Sequence, residues 1–286
     1  MKKTLWIPAL ALLFFTGDRL AGGWLLKQID HSQFRYSRMY CGEAAADILL
    51  VGNSRGLTFY QPYIESITGK STFNLSYNGM PMDLAKVLVQ DYLDKYPTPE
   101  RMVVDITTCD RRNDQLLAGF LPYARYSARI DTLIQSRMAW VWWSGRLSKL
   151  FCTNNEVFQR ALYYQNRSDE DWLLDRVINP ELAREHLDNP PVINPNDYLI
   201  TQLQEMVAYA RAKGVAVELV IGPYYPGYAV QRLDDLKTAI EQATGLTVRD
   251  YRAALTDPSG FGDLSHPNVA GSKVYLDMLR RDAVFP

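Results

Sequence analysis

The hydrophobic pattern opens with an uncharged run. Met1-Lys2-Lys3 is followed by Leu5 to Phe15 without a charge, the positive start and apolar core of a secretory signal. Apolar character resumes after Asp18 and Arg19 and continues to Leu26. The whole stretch has the roughly 20 residues that a spanning helix needs. Three readings follow: an uncleaved anchor over residues 1–26, a signal peptide cut near Ala21 or Gly23, or a helix buried in the protein. Asp18 and Arg19 stand against the anchor, because a charge at the bilayer centre costs about 2.5–3.5 kcal/mol, unless they lie near the far interface or face a partner helix. Lys2 and Lys3 predict a cytoplasmic N-terminus, with the body of the protein on the other side.

Residues 27–45 are polar and aromatic and read as a linker. From residue 46 short apolar runs alternate with segments of helical period. Ala46-Asp-Ile-Leu-Leu-Val51, stopped by Gly52, fits a strand buried on both faces. Further strands are expected at Ser71–Ser76, Arg101–Ile106, Val215–Ile221 and Leu246–Asp250, and helices at Pro81–Tyr96, 196–213, Leu233–Ala243 and Asn268–Arg281. That alternation predicts a parallel sheet covered by helices. The stretch from about 110 to 195 breaks the rhythm. It is rich in Tyr and Trp, has a helix-like segment at Ile130–Phe151, and reads as an insertion capping the carboxyl edge of the sheet. Its Trp-rich part, 138–151, reads first as a lid helix. The flanking Arg137, Arg146 and Lys149 would also suit a membrane surface.

Composition narrows the function. Over 286 residues, 47% are hydrophobic and 22% charged, which excludes disordered and collagen-like classes. Lys plus Arg number 31 and Asp plus Glu 32, without a basic stripe, so no nucleic-acid partner is expected. Three histidines and three cysteines lack metal-site spacing, so no metal and no cofactor are expected. Cys109 and Cys152 are read either as a bridge or as buried free thiols. His186, in Arg184-Glu-His-Leu, reads as a surface helix residue.

In an open parallel sheet, ligands bind beyond the carboxyl ends of the strands. Asn53-Ser54-Arg55 falls there, at the end of the first strand. Asp263-Leu-Ser-His266-Pro-Asn268 falls on a loop before the last helix. A serine hydroxyl needs a base within hydrogen-bond reach. An aspartate three residues before a histidine can orient the ring, so Ser54, His266 and Asp263 form a candidate nucleophile, base and orienter. The competing reading of Asp263 and His266 is a helix-capping arrangement. Arg55 is read either as steering an anionic substrate or as a salt bridge. Tyr224 and Tyr225, after the fourth strand, are read as core residues or as sugar-stacking surfaces, and Trp140, Trp142 and Trp143 likewise.

These residues resemble the SGNH (GDSL-type) hydrolases. Val51-Gly-Asn-Ser54 matches the first block with Asn53 in place of Asp. Asn74-Leu-Ser-Tyr-Asn-Gly79 matches the second through its glycine, and Asp263-Leu-Ser-His266 matches the last. The resemblance covers roughly 46–110 and 196–282. The third block, Gly-x-Asn-Asp, is absent. Asp105-Ile-Thr-Thr-Cys109-Asp110 stands in its place, with Asn113-Asp114 as a poor substitute. The resemblance implies a three-layer flavodoxin-like α/β domain over 46–286, with a central parallel sheet and a helical insertion between the third and fourth strands. It also implies an oxyanion site from the N–H groups of Ser54 and Gly79 with Asn78, and leaves the third block's donor to Thr107, Thr108 or the backbone of that block. With an N-terminal anchor, the layout is similar to the membrane-anchored DltD and AlgJ types. That implies an extracytoplasmic serine esterase or acyltransferase of the bacterial inner membrane, with its domain in the periplasm or outside the cell. Its substrate would be an O-acylated glycan or other envelope polymer, and its partner a membrane-bound O-acyltransferase. The alternative is a catalytically weak, glycan-binding or accessory partner of such an acyltransferase. An intracellular flavodoxin-like protein would need a phosphate-binding glycine loop, which this chain lacks.

Overall fold

The computed structural model describes residues 6–170 and 172–286. In chain order the elements are α1 (Trp6–Gln28), α2 (Arg35–Cys41), β1 (Ile48–Val51), α3 (Gln61–Thr68), β2 (Thr72–Asn74), α4 (Met82–Lys95), β3 (Arg101–Asp105), α5 (Asp114–Gly119), α6 (Ala128–Arg137), α7 (Ala139–Leu147), α8 (Glu156–Tyr163), α9 (Pro180–Leu187), α10 (Asp197–Ala212), β4 (Ala216–Ile221), α11 (Leu233–Thr244), β5 (Val248–Asp250) and α12 (Val269–Arg281). The chain divides into two compact units. One comprises residues 6–43 and 114–169, the other 44–113 and 170–286.

The second unit is mixed α/β. Its five strands are all parallel, in the order β2-β1-β3-β4-β5. All five lie where the apolar runs predicted them. β1 and β2 are buried at every position and β3 at all but its first, as expected where helices cover both faces. The order reverses between β1 and β3, the switch point at which an open α/β sheet leaves a crevice. α4 packs on α10, and α12 on α3. Two contacts draw the chain tight at the end of β1. A Cβ on Gly52 would lie 2.7 Å from the Gly56 Cα, and one on Gly56 would lie 2.3 Å from Ser76 Oγ. Only glycine lets the turn after β1 press against the end of β2.

The first unit is helical. α1 is long and apolar enough to cross a membrane. The stretch expected as a linker is folded instead. It carries α2, and Ile29, Phe34, Tyr36 and Met39 are buried. Arg35 and Asp169 hold it: the Arg35 N–H and Nε donate to Asp169 Oδ2 at 2.7 and 2.9 Å, and both side chains are buried. The expected single helix at Ile130–Phe151 is two, α6 and α7, broken at Met138, where φ is −141° and ψ 56°. The insertion is likewise not one body, since 170–195 belongs with the α/β unit. None of the three cysteines is in a disulfide, so no Cys109–Cys152 bridge forms.

Removing one member of a buried ion pair leaves an uncompensated charge, at a cost of about 3–5 kcal/mol. Asp169→Ala is therefore expected to destabilise the helical unit by that amount, read from the midpoint of denaturant unfolding followed by circular dichroism.

Candidate active site

Ser54 sits just beyond β1 and opens the short 3-10 turn Arg55–Thr58. Its neighbour Asn53 fixes the turn. Asn53 Oδ1 accepts from the Arg55 N–H at 2.9 Å, and Nδ2 donates to Thr107 Oγ1 at 3.0 Å, tying the end of β1 to the end of β3. Asn74 does the same for β2, donating to the carbonyls of Gly56 and Phe59.

The histidine arrives on a loop that closes on itself. Asp263 Oδ1 accepts from the N–H groups of Ser265 and His266 at 2.8 and 2.9 Å, and both carboxylate oxygens lie 2.9 Å from His266 Nδ1. His266 Nε2 lies 2.9 Å from Ser54 Oγ. The helix cap that competed for Asp263 is supplied by Asn268, whose side chain accepts from the Gly271 N–H. Burial pushes the Asp263 carboxyl up, but hydrogen bonds and charge from His266, with the two backbone N–H groups, outweigh it and hold it below the usual carboxylate range. An ionised carboxylate keeps the ring proton on Nδ1 and leaves Nε2 free to accept the serine proton.

Gly79 and Asn78 lie on the turn after β2. Gly79 has φ +66°, a left-handed conformation that favours glycine. Among the described residues, neither the Ser54 nor the Gly79 N–H has an acceptor. Asn78 lines the serine pocket. The residues in place of the third block point elsewhere. Thr107 Oγ1 donates to Asp105 Oδ1, and Thr108 Oγ1 donates to the Asp105 carbonyl at 3.1 Å. Both hydroxyl protons are spent within the protein. Asn113, the poor substitute, donates to the Gly79 carbonyl at 3.0 Å and so braces the turn.

Arg55 does not face a substrate. Its guanidinium is buried, stacked 3.7 Å over the Tyr224 ring, 3.7 Å from Asp105 Oδ2, and donates to the carbonyls of Ser265 and Pro223 at 2.5 and 3.0 Å. It clamps the histidine loop to the ends of β3 and β4. Tyr224 and Tyr225 are also buried, the latter edge-on to Phe261, so neither offers a face to a sugar ring. Within the insertion expected to cap the sheet, sequence reasoning did not single out Trp172, Leu173 and Leu174. This strap pairs with the start of α12 through Leu174 and Asn268 and walls the pocket of about 210 Å³ that holds Ser54 and His266. Only the aromaticity of Trp172 hinted at it. The segment 138–151, expected as a lid, lies in the helical unit. His186 is on α9, as expected, and lines a second pocket of about 590 Å³ that shares Asp263 and His266 with the first. Cys109 is buried, which pushes its thiol well up, so it is no nucleophile.

Two outcomes follow. Lys cannot reproduce the forked donors of Arg55. A shift of about 1 Å in a reacting group costs about 10²-fold, so Arg55→Lys should slow Ser54 acylation by about that factor, measured by stopped-time labelling with a serine-reactive phosphonate. Asp263 contributes stability that is present above the unfolded carboxylate value, about 3.9, and lost as pH falls through the lower folded value. The melting temperature of Asp263→Asn should therefore lie below wild type at neutral pH and converge on it in strong acid.

No family model matches the sequence, and no curated protein matches it. Among solved structures, one from Streptococcus pneumonia, provisionally identified as a platelet activating factor, is similar to this chain at 13% identity with a TM-score of 0.45, over 93% of this chain and 98% of that one.

Proposed function

We propose that the protein is an SGNH-type serine esterase or acyltransferase, anchored by α1 and acting outside the cytoplasm on O-acyl groups of an envelope polysaccharide. The observation that carries this is the continuous hydrogen-bonded line from Ser54 Oγ through His266 to the Asp263 carboxylate. In this reading Ser54 attacks the ester carbonyl while His266 Nε2 takes its proton. The oxyanion forms beside the N–H groups of Ser54 and Gly79. His266 then returns the proton to the leaving alcohol, and water or a second sugar hydroxyl, deprotonated by the same nitrogen, releases the acyl group. The polymer, and a membrane-bound O-acyltransferase as partner, come from the family resemblance alone.

One observation favours a second reading. With the hydroxyls of Thr107 and Thr108 spent, the third block's donor has to come from Asn78 or from the backbone; without it the site would lose about 10²–10³ in rate. On that reading the domain binds an acylated glycan or an acyltransferase as an accessory.

The test is labelling of the full chain in detergent with a fluorophosphonate, read by peptide mass spectrometry. Wild type should label at Ser54, and Ser54→Ala and His266→Ala should not. A folded wild type that does not label, together with a Ser54→Ala variant that retains function in cells, would sink the enzyme reading in favour of the accessory one.

A further inference from the structure

We infer that α7 and the turn after it, in the helical unit, are embedded in the same bilayer that α1 enters, at the level of its outer leaflet. The inference rests on the reading of α1 as an anchor and is independent of the chemistry at Ser54.

The first argument is length. Every residue of α1 from Trp6 to Gly17 is exposed. Those twelve residues make about 18 Å of helix, well short of the roughly 30 Å hydrocarbon core. Ahead of them lie only Thr4 and Leu5 before two lysines. A crossing therefore has to use Asp18–Leu26 as well, which ends at Lys27, the first cation after Arg19. That part of α1 is not bare. Asp18 and Arg19 bind residues 146–150, and Gly22 is packed so closely there that a Cβ would lie 2.6 Å from the Lys149 Cβ. Ser148–Leu150 therefore lies level with Asp18, roughly 14 Å along the helix from Lys27. Whatever depth α1 reaches, this turn shares it.

The second argument is polar satisfaction. Irregular backbone survives at membrane depth only if protein satisfies it. The Asp18 carboxylate accepts from Ser148 Oγ and from the N–H groups of Lys149 and Leu150 at 2.9 and 3.1 Å. Arg19 donates to the carbonyls of Arg146 and Leu147 at 3.0 and 2.7 Å, at the open end of α7. The two charges that spoil a plain anchor thus cap the groups that water would otherwise have to solvate.

The third argument is the surface. No residue of α7 is buried. It exposes Trp140 at 78%, Trp143 at 57% and Leu147 at 71%, and α1 exposes Leu20 and Trp24 on its docked half. Trp and Leu suit acyl chains, and the Arg146 charge beside them is already paired with Asp131 at 2.9 Å. The occupant of this face is phospholipid. It continues the exposed surface of α1 without a break in chemistry.

The test uses the full chain in nanodiscs of phosphatidylcholine and phosphatidylglycerol, with its three cysteines replaced and a spin label placed in turn at residues 14, 143, 147 and 274. Phe14 reports on the anchor, and Val274, exposed on α12, reports on water. Relaxation by oxygen should exceed relaxation by a nickel chelate several-fold at 14, 143 and 147, with the reverse at 274. Nickel dominance at 143 and 147 with oxygen dominance at 14 overturns the inference and leaves the anchor standing. Protection from both reagents at 143 and 147 means a protein partner or a second copy covers the face, and also overturns it. Nickel dominance at 14 removes the anchor reading itself. A second measurement needs no cysteine change. Brominated lipids should quench the wild-type tryptophans, and Trp140→Phe with Trp143→Phe should lower the quenchable fraction; an unchanged fraction overturns the inference.

Discussion

The α/β unit depends on one buried cation. The guanidinium of Arg55 is buried, so its solvation falls to the protein, and the groups that supply it come from three places in the chain: Asp105 at the end of β3, Pro223 beyond β4, and Ser265 in the histidine loop. A buried charge without partners would cost several kcal/mol. The demand to satisfy it therefore fixes how the ends of β3 and β4 and the last loop are arranged around the turn that carries Ser54. The ring of Tyr224 closes the remaining face. The serine is placed by its backbone and the histidine by its loop, but their distance from one another is set by the residue next to the serine.

The helical unit uses the same device twice. Arg35 is solvated by Asp169, which also takes the N–H at the start of α2. Asp18 and Arg19 are solvated by the backbone of residues 146–150. In each case a charge is spent on main-chain groups that regular structure leaves unpaired, where an ion pair between exposed side chains would contribute little.

The sheet was legible because a strand buried on both faces is an uninterrupted apolar run, and Ile48–Val51, Met102–Val104 and Leu219–Ile221 are such runs. The pair Asp263 and His266 was legible because its geometry is local, complete within four residues. What escaped was whatever depends on distant partners. Arg55 reads as a surface or ligand-facing charge until the carbonyls at 223 and 265 are brought to it. Residues 27–45 read as a linker because nothing in their spacing announces Asp169. The break at Met138 has no glycine or proline to mark it. Trp172–Leu174 has no period, since its conformation is set by pairing with the start of α12. The roles of Ser54, Asp263 and His266 remain proposals on which the geometry and the resemblance converge.

The two halves of the candidate relay differ in how they come about during folding. The bond from Asp263 to His266 closes a loop of three residues, whereas the one from His266 to Ser54 spans 212. Closing a long loop is entropically costly, and such contacts form after local ones. The imidazole is thus oriented by its own segment, while its meeting with the hydroxyl waits until β1, β3 and β4 are in register. A chain still emerging from the ribosome carries Ser54 212 residues ahead of His266, and so cannot assemble the pair before the histidine loop exists.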